Sequence, residues 1–165
     1  MTGPKTEARS LKPKVSAYVD GLKMLGRREL SEAQVRRRLA RKGHDANAVD
    51  IAIERLRAER AIDDVRVAEA IAHTETAVRR HGRLRVKRQI EQAGIAPATA
   101  RGALDLVFGV LDEEALLEAA LDKRLRGRNC LADQAEFLRM FRYLVGQGFE
   151  PERAIAALKR RKPRA

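Results

Sequence analysis

The sequence has little aromatic content and almost no cysteine. It contains one cysteine, Cys130, no tryptophan, and an aromatic fraction of only 4%. A single cysteine excludes an internal disulfide and gives no indication of an oxidising compartment. A core built from Leu, Ile, Val and Ala suits closely packed helices better than a β-sandwich. We expect Cys130 to be a half-buried packing residue.

Long hydrophobic runs and strand patterns are missing as well. No segment approaches the ~18 consecutive apolar residues that a membrane span requires. No run of β-branched alternation is bounded by turn residues, as a strand would be. The polar, basic N-terminus from Met1 to Lys14 is followed by no signal-peptide core. We therefore expect an all-α, soluble, cytoplasmic protein that makes no contact with a membrane.

Motifs that would indicate catalysis are also lacking. Walker-type and GxGxxG phosphate loops are absent. Asp63 and Asp64 form a tight carboxylate pair, but a helix N-terminus itself favours an acidic cap. Glu69 and His73 lie one helical turn apart without further ligands, and His81 stands among arginines in what we expect to be a basic turn. We predict no enzyme activity, no metal and no cofactor.

Positive charge is what the sequence has in excess. Charged residues make up 35% of the chain, and the formal net charge is +12. The excess is +7 in residues 1–62, +2 in residues 63–111 and +3 in residues 112–165. Such a chain attracts polyanions, and its association with them should be sensitive to salt.

One short pattern occurs three times along the chain. Each copy is a bulky aliphatic residue, three further residues, a glycine, and then a larger ring or aliphatic side chain. The glycines are Gly43, Gly94 and Gly148, with spacings of 51 and 54 residues. A glycine just after an amphipathic helix predicts a left-handed helix cap, which only glycine adopts without a Cβ clash. The pattern indicates one helical unit used three times.

Apolar periodicity around each glycine predicts three helices per unit, and hence an all-α fold of three tandem three-helix repeats stacked into an elongated, curved body. Ser31 with Gln34 predicts a capping box, and either Asp63 or Asp64 can cap the first helix of the second unit. The predicted divisions are a disordered basic N-terminal arm (1–13), the three repeats (14–61, 62–111 and 112–161), and a basic tail (162–165).

A basic position recurs inside the predicted middle helices. Six residues before each glycine stands an arginine: Arg37, Arg88 and Arg142. If the units stack regularly, these side chains form a row that can bind an acidic protein surface or a phosphate backbone. The alternative interpretation is that these arginines occupy solvated helix faces, where some polar residue is needed. The candidate partner-binding residues are Arg36, Arg37, Arg41, Lys42, Lys87, Arg88 and Arg142. In the third copy Phe141 replaces a base, which suggests an apolar neighbour there, either its own core or a partner.

The ordered set of motifs resembles the RecX family of bacterial recombination regulators. The likeness extends from about residue 15 to 161. It rests on Tyr18, the Leu25-Gly26-Arg27-Arg28-Glu29-Leu30-Ser31 segment, Leu39, Lys42-Gly43, Ile62-Asp63-Asp64, Arg66-Val67-Ala68, Gly82, Ile90, Gly94-Ile95, Tyr143-Leu144 and Gly148-Phe149.

This resemblance implies a non-enzymatic regulator of the RecA recombinase. Members of the family lie in the groove of the RecA–single-stranded DNA filament, suppress ATP hydrolysis, strand exchange and co-protease activity, and bind DNA weakly. It implies a monomer whose partner is that filament. The alternative is a direct nucleic-acid-binding module of helix-turn-helix type, with residues 46–56 as the recognition helix. Against it, Asp50 and Glu54 make that helix poorly suited to reading base edges.

Overall fold

The structure is a computed structural model that describes residues 16–161. The predicted arm (1–13) and tail (162–165) lie outside these residues. Within 16–161 every regular element is helical, which confirms the all-α prediction. None of these helices has the length and apolar character needed to cross a membrane. The helices are α1 (Ala17–Leu25), α2 (Glu32–Arg41), α3 (Ala46–Ala58), α4 (Asp64–His73), α5 (Arg83–Gln92), α6 (Pro97–Phe108), α7 (Glu113–Leu125), α8 (Gln134–Gly146) and α9 (Pro151–Arg160), and a π-helical turn (Thr74–Val78) follows α4.

The helices form three units with separate hydrophobic cores. The first unit (α1–α3) is built around Leu39 and Ile53, the second (α4–α6) around Ile90 and Leu104, and the third (α7–α9) around Leu144. The most extensive helix–helix contacts all lie within a unit. Phe141 packs against the third core, as its apolar character suggested. Neighbouring units therefore meet over small areas. The small contact areas between units favour the predicted elongated body, and the curvature of that body stays a prediction.

Local sequence signals explain where the helices begin and end. Ser31 and Gln34 form the predicted capping box of α2. Gly43, Gly94 and Gly148 have φ angles of +88°, +80° and +92°, which confirms the left-handed turns.

The two aspartates that were alternatives for capping α4 have separate roles. Asp63 accepts a hydrogen bond from the backbone N–H of Arg66 and caps α4. Asp64 accepts one, at 2.9 Å, from the backbone N–H of Glu32 in the first turn of α2. Each carboxylate thus satisfies a free amide at a helix N-terminus, one in its own unit and one in the preceding unit.

The three middle helices, α2, α5 and α8, meet end to end, and we call this arrangement the middle-helix column. At the first junction, the Ser31 hydroxyl at the start of α2 donates to the Ala93 carbonyl at the end of α5. At the second junction, the backbone N–H groups of Gly82 and Leu84 donate to the carbonyls of Gln147 and Gly148, at 2.9 and 3.1 Å. Free carbonyls at one helix end are thus paired with donors at another helix start, a side-chain hydroxyl at the first junction and backbone amides at the second.

Two predictions about single residues were wrong. Cys130 is exposed rather than half-buried, because it stands in the irregular connection between α7 and α8. His81 is buried rather than part of a basic turn. Its Nδ1 lies 2.5 Å from Oε2 of Glu75, because the π-helical turn brings the two residues together.

Replacing Gly148 with alanine should destabilise the protein more than the same change at Gly43. Both glycines have left-handed backbones, so each alanine costs about 1–2 kcal/mol. A Cβ at Gly148 would also overlap the backbone nitrogen of Arg85, whereas nothing lies within 4 Å of a Cβ at Gly43. We expect Gly148→Ala to lose about 1–3 kcal/mol more in urea unfolding. Equal losses in the two variants would contradict the end-to-end junction.

Glu136 should make the third unit sensitive to acid. Hydrogen bonds from Arg128 and from the backbone N–H of Ala132 lower the pKa of this carboxyl to about 2. A lowered folded-state pKa means that the stabilisation is complete above the ordinary value of 4.5 and is lost as the pH falls from there towards 2. The advantage in melting temperature of wild type over Glu136→Gln should therefore shrink between pH 5 and pH 3. The exposed Glu152→Gln variant is the control, and a constant advantage would contradict the assignment.

Candidate partner-binding surface

One flank of the middle-helix column is lined by basic and amide side chains. In α2, positions two, five, six and nine before the glycine lie on one side of the helix, away from the buried positions four and eight residues before it. The same spacing in α5 and α8 selects residues that are exposed or partly exposed. We call the arginines of this flank the basic stripe: Arg37, Arg38, Arg41, Arg85, Arg88, Arg139 and Arg142.

The three arginines that repeat six residues before each glycine all belong to the stripe. Arg37, Arg88 and Arg142 are exposed. Nε of Arg88 donates to the Leu84 carbonyl at 3.4 Å, and Nε of Arg142 makes the equivalent bond to Leu138 at 3.3 Å. These contacts occupy only Nε, and among residues 16–161 no carboxylate pairs with any of the three. Their terminal nitrogens are available to an external acceptor.

Two of the other predicted contact residues, Arg36 and Lys87, lie on the opposite flank of the column. Arg36 pairs with Glu32 at 2.9 Å and with Asp50 on α3. The hydrogen bonds that Arg36 donates to Asp50 and then to Glu32 raise the pKa of its guanidinium. Lys87 is 3.8 Å from Glu91. The structure therefore does not bring these two charges together with the stripe, because a shift of one residue turns the side chain by about 100°.

At the end of α2, the structure likewise separates Arg41 from Lys42, and only Arg41 belongs to the stripe. Arg41 is exposed on the stripe. The ammonium group of Lys42 lies 2.8 Å from Asp20, which also contacts His44 at 2.9 Å. Hydrogen bonds from Lys42 and His44 lower the pKa of the Asp20 carboxyl. Lys42 thus serves to fix the turn against α1.

Sequence reasoning missed three members of the stripe. Arg38 stands five residues before its glycine, and Arg85 and Arg139 stand nine residues before theirs. The same count back from each glycine reaches all three residues. They were missed because only the position six residues before the glycine holds an arginine in every copy. Arg85 also contributes to the second junction, where its Nη1 donates to the Gly146 carbonyl at 3.0 Å.

The third helix of the first unit is poorly equipped to read DNA bases. Its exposed residues include Asp50 and Glu54, and its arginines are engaged within the unit. Arg55 pairs with Glu59 at 2.9 Å and stacks 3.8 Å from the ring centre of Tyr18, while Arg57 pairs with Glu32. This helix therefore presents few free donors for a major groove.

The side chains of residues 16–161 form no group of three or more His, Cys, Asp and Glu residues that could hold a metal ion. The Asp63–Asp64 pair has a structural role, since the two carboxylates cap two helices, and His81 is held by Glu75. The structure thus gives the exposed basic stripe, rather than a catalytic cluster, as the candidate functional site.

Comparison with known proteins identifies related chains. Residues 17–56 match the family model described as the first three-helix domain of RecX. Regulatory protein RecX of Halorhodospira halophila is 31% identical over 137 residues, which is 82% of each chain. Regulatory protein RecX of Acidithiobacillus ferrooxidans is 34% identical over 132 residues, covering 79% of this chain and 81% of the relative.

Solved structures show the same fold. The crystal structure of RecX from Lactobacillus salivarius superposes with a TM-score of 0.68 and 18% sequence identity, covering 87% of this chain and 92% of the other. A second structure of a regulatory protein RecX superposes with a TM-score of 0.70 over 87% of this chain. The extent and identity of the sequence matches establish that this chain belongs to the RecX family of regulatory proteins.

Proposed function

We propose that this protein regulates the RecA recombinase, mainly as an inhibitor, by binding in the groove of the RecA–single-stranded DNA filament. In this role it suppresses the ATP hydrolysis, strand exchange and co-protease activity of the filament. It acts in the cytoplasm as a monomer and performs no catalysis of its own. Membership of the RecX family supports the regulatory part of this proposal, and the basic stripe supports the mode of binding.

The observation that carries the proposal is the repetition of exposed arginines along the middle-helix column. Arg37, Arg88 and Arg142 occupy one position in three units that are joined end to end. A filament likewise offers the same surface again and again along its axis. Repeated contacts to such a partner add up, because each later contact forms within a complex that already exists. Guanidinium groups suit both the carboxylates and the phosphates of a protein–DNA filament.

Direct binding to DNA is the second candidate, and the net charge of +12 favours it. The stripe can contact a phosphate backbone, but α3 lacks free donors for base recognition. Binding to naked DNA should therefore be weak, salt-sensitive and independent of sequence. On this account DNA binding accompanies filament binding and does not replace it.

Replacing Arg37, Arg88 and Arg142 together with alanine should weaken inhibition of RecA. We expect the concentration for half-inhibition of DNA-dependent ATP hydrolysis to rise roughly tenfold or more, since a loss of 1.4 kcal/mol in binding is a factor of ten. Helicity and melting temperature should hardly change, because all three side chains are exposed. The matched control replaces Arg101, Lys123 and Lys159, which are exposed on other helices, and removes the same charge.

The assay titrates the protein into RecA on single-stranded DNA at two salt concentrations, with DNA in excess. Inhibition below one protein per RecA protomer supports regulation of the filament, because competition for DNA cannot produce it. Full inhibition by the stripe variant, or equal loss in the control variant, would refute the role of the stripe. Tight salt-sensitive binding to naked DNA with no effect on RecA would favour the second candidate.

A further inference from the structure

Four arginines converge at the first-unit end of the basic stripe. Arg37, Arg38 and Arg41 stand on one face of α2, and Arg28 lies in the connection between α1 and α2. Burial, and then the positive charges of Arg28, Arg41 and Arg37, lowers the pKa of the Arg38 guanidinium. The charges of Arg28, Arg37 and Arg41 therefore act on Arg38, and Arg37, Arg38 and Arg41 also line one cavity. We call these four residues the arginine cluster.

None of the four arginines of the cluster has an acidic partner among the described residues, in contrast to Arg36 and Arg161. Arg36 is held by Glu32 and Asp50, and Arg161 is held by Glu118 and Asp122; these contacts raise the pKa of both guanidinium groups. Within residues 16–161, no carboxylate lies within 4.0 Å of a charged nitrogen of Arg28, Arg37, Arg38 or Arg41. Like charges gathered in this way destabilise the free protein, and an anion would relieve that repulsion.

The cluster borders a cavity of suitable size and chemistry. An open cavity of about 510 Å³ is lined by Gln34, Arg37, Arg38, Ala40 and Arg41. Each guanidinium presents paired N–H donors that match two phosphate oxygens, and the glutamine amide adds a further donor. A carboxylate brings one negative charge, whereas linked phosphates bring several within a few ångströms. Dense positive charge without internal partners therefore favours phosphate over an acidic side chain.

We propose that the arginine cluster is a binding site for adjacent phosphate groups. The shared chemistry is a chain of linked phosphates, supplied either by a free polyphosphate anion or by the phosphodiester backbone of single-stranded DNA. Arg38, which is partly buried, holds the central phosphate, and it is joined by Arg37 beside it and by Arg41 one turn further along α2. The site is complete within the first unit and does not require RecA.

The second unit provides an internal comparison. Counted back from the glycine, Gln89 and Gln92 of α5 replace Arg38 and Arg41, while Arg88 matches Arg37. The same helix–glycine frame therefore folds with glutamines at these two positions. The site is confined to the first unit, and the double variant Arg38→Gln, Arg41→Gln copies residues that the fold already accepts.

The test measures binding of inorganic tripolyphosphate and of an oligo(dT) strand to the full chain by calorimetry, and by the rise in melting temperature that a ligand produces. We expect one tripolyphosphate site per chain and roughly tenfold or more weaker binding in Arg38→Gln, Arg41→Gln. For oligo(dT), the salt slope should fall by about 1.4, or about 0.7 for each lost phosphate contact. The control, Arg101→Gln with Lys123→Gln, removes the same charge from exposed positions outside the stripe.

Each outcome decides the proposal. Loss of binding in the cluster variant but not in the control supports the site; if only oligo(dT) shows this difference, the DNA backbone is the source of the phosphates. Equal weakening in both variants shows diffuse attraction to a basic protein and overturns the site, as does no binding of either probe by wild type. The RecA assay remains separate, because its variant replaces Arg37, Arg88 and Arg142 and keeps Arg38 and Arg41.

Discussion

The structure depends on hydrogen bonds from groups at the start of one middle helix to free carbonyls at the end of another. At the second junction α5 begins at Gly82, which has no side chain to cap the helix, and Gln147 and Gly148 supply the acceptors instead. The approach is close enough that a Cβ on Gly82 would lie 2.5 Å from the Gly148 carbonyl oxygen. Glycine on both sides is therefore a condition of the contact, and the contact brings the negative C-terminal end of α8 to the positive N-terminal end of α5.

The middle-helix column sorts the basic residues into two groups. On the flank that faces the third helix, Arg36 and Lys87 are neutralised by acidic neighbours. On the opposite flank, Arg37, Arg88 and Arg142 keep their terminal nitrogens free. Net charge alone does not make this distinction, because both groups add equally to +12. We propose that the unpaired charges bind the partner, since only they gain a partner on association.

Unequal units give the stripe two different ends. The first unit gathers guanidinium groups without carboxylates, whereas Arg139 in the third unit lies 3.7 Å from Glu136 and Tyr143 adds an aromatic ring to the flank. A filament of RecA on DNA offers both phosphates and protein side chains. The proposed functions are consistent with one another, with the arginine-rich end suited to phosphates and the more mixed end suited to protein.

The sequence by itself determined the local structure: the helices, the Ser31 cap, the left-handed glycines and the register that repeats Arg37, Arg88 and Arg142. These features depend on hydrogen bonds and periodicity within a few residues, so they can be read from neighbours in the chain. Only the tertiary structure decided which charges are free, that Asp64 caps a helix of another unit, and that His81 is buried against Glu75. Those outcomes depend on contacts between distant segments or on an irregular π-helical turn, and composition and spacing do not specify either.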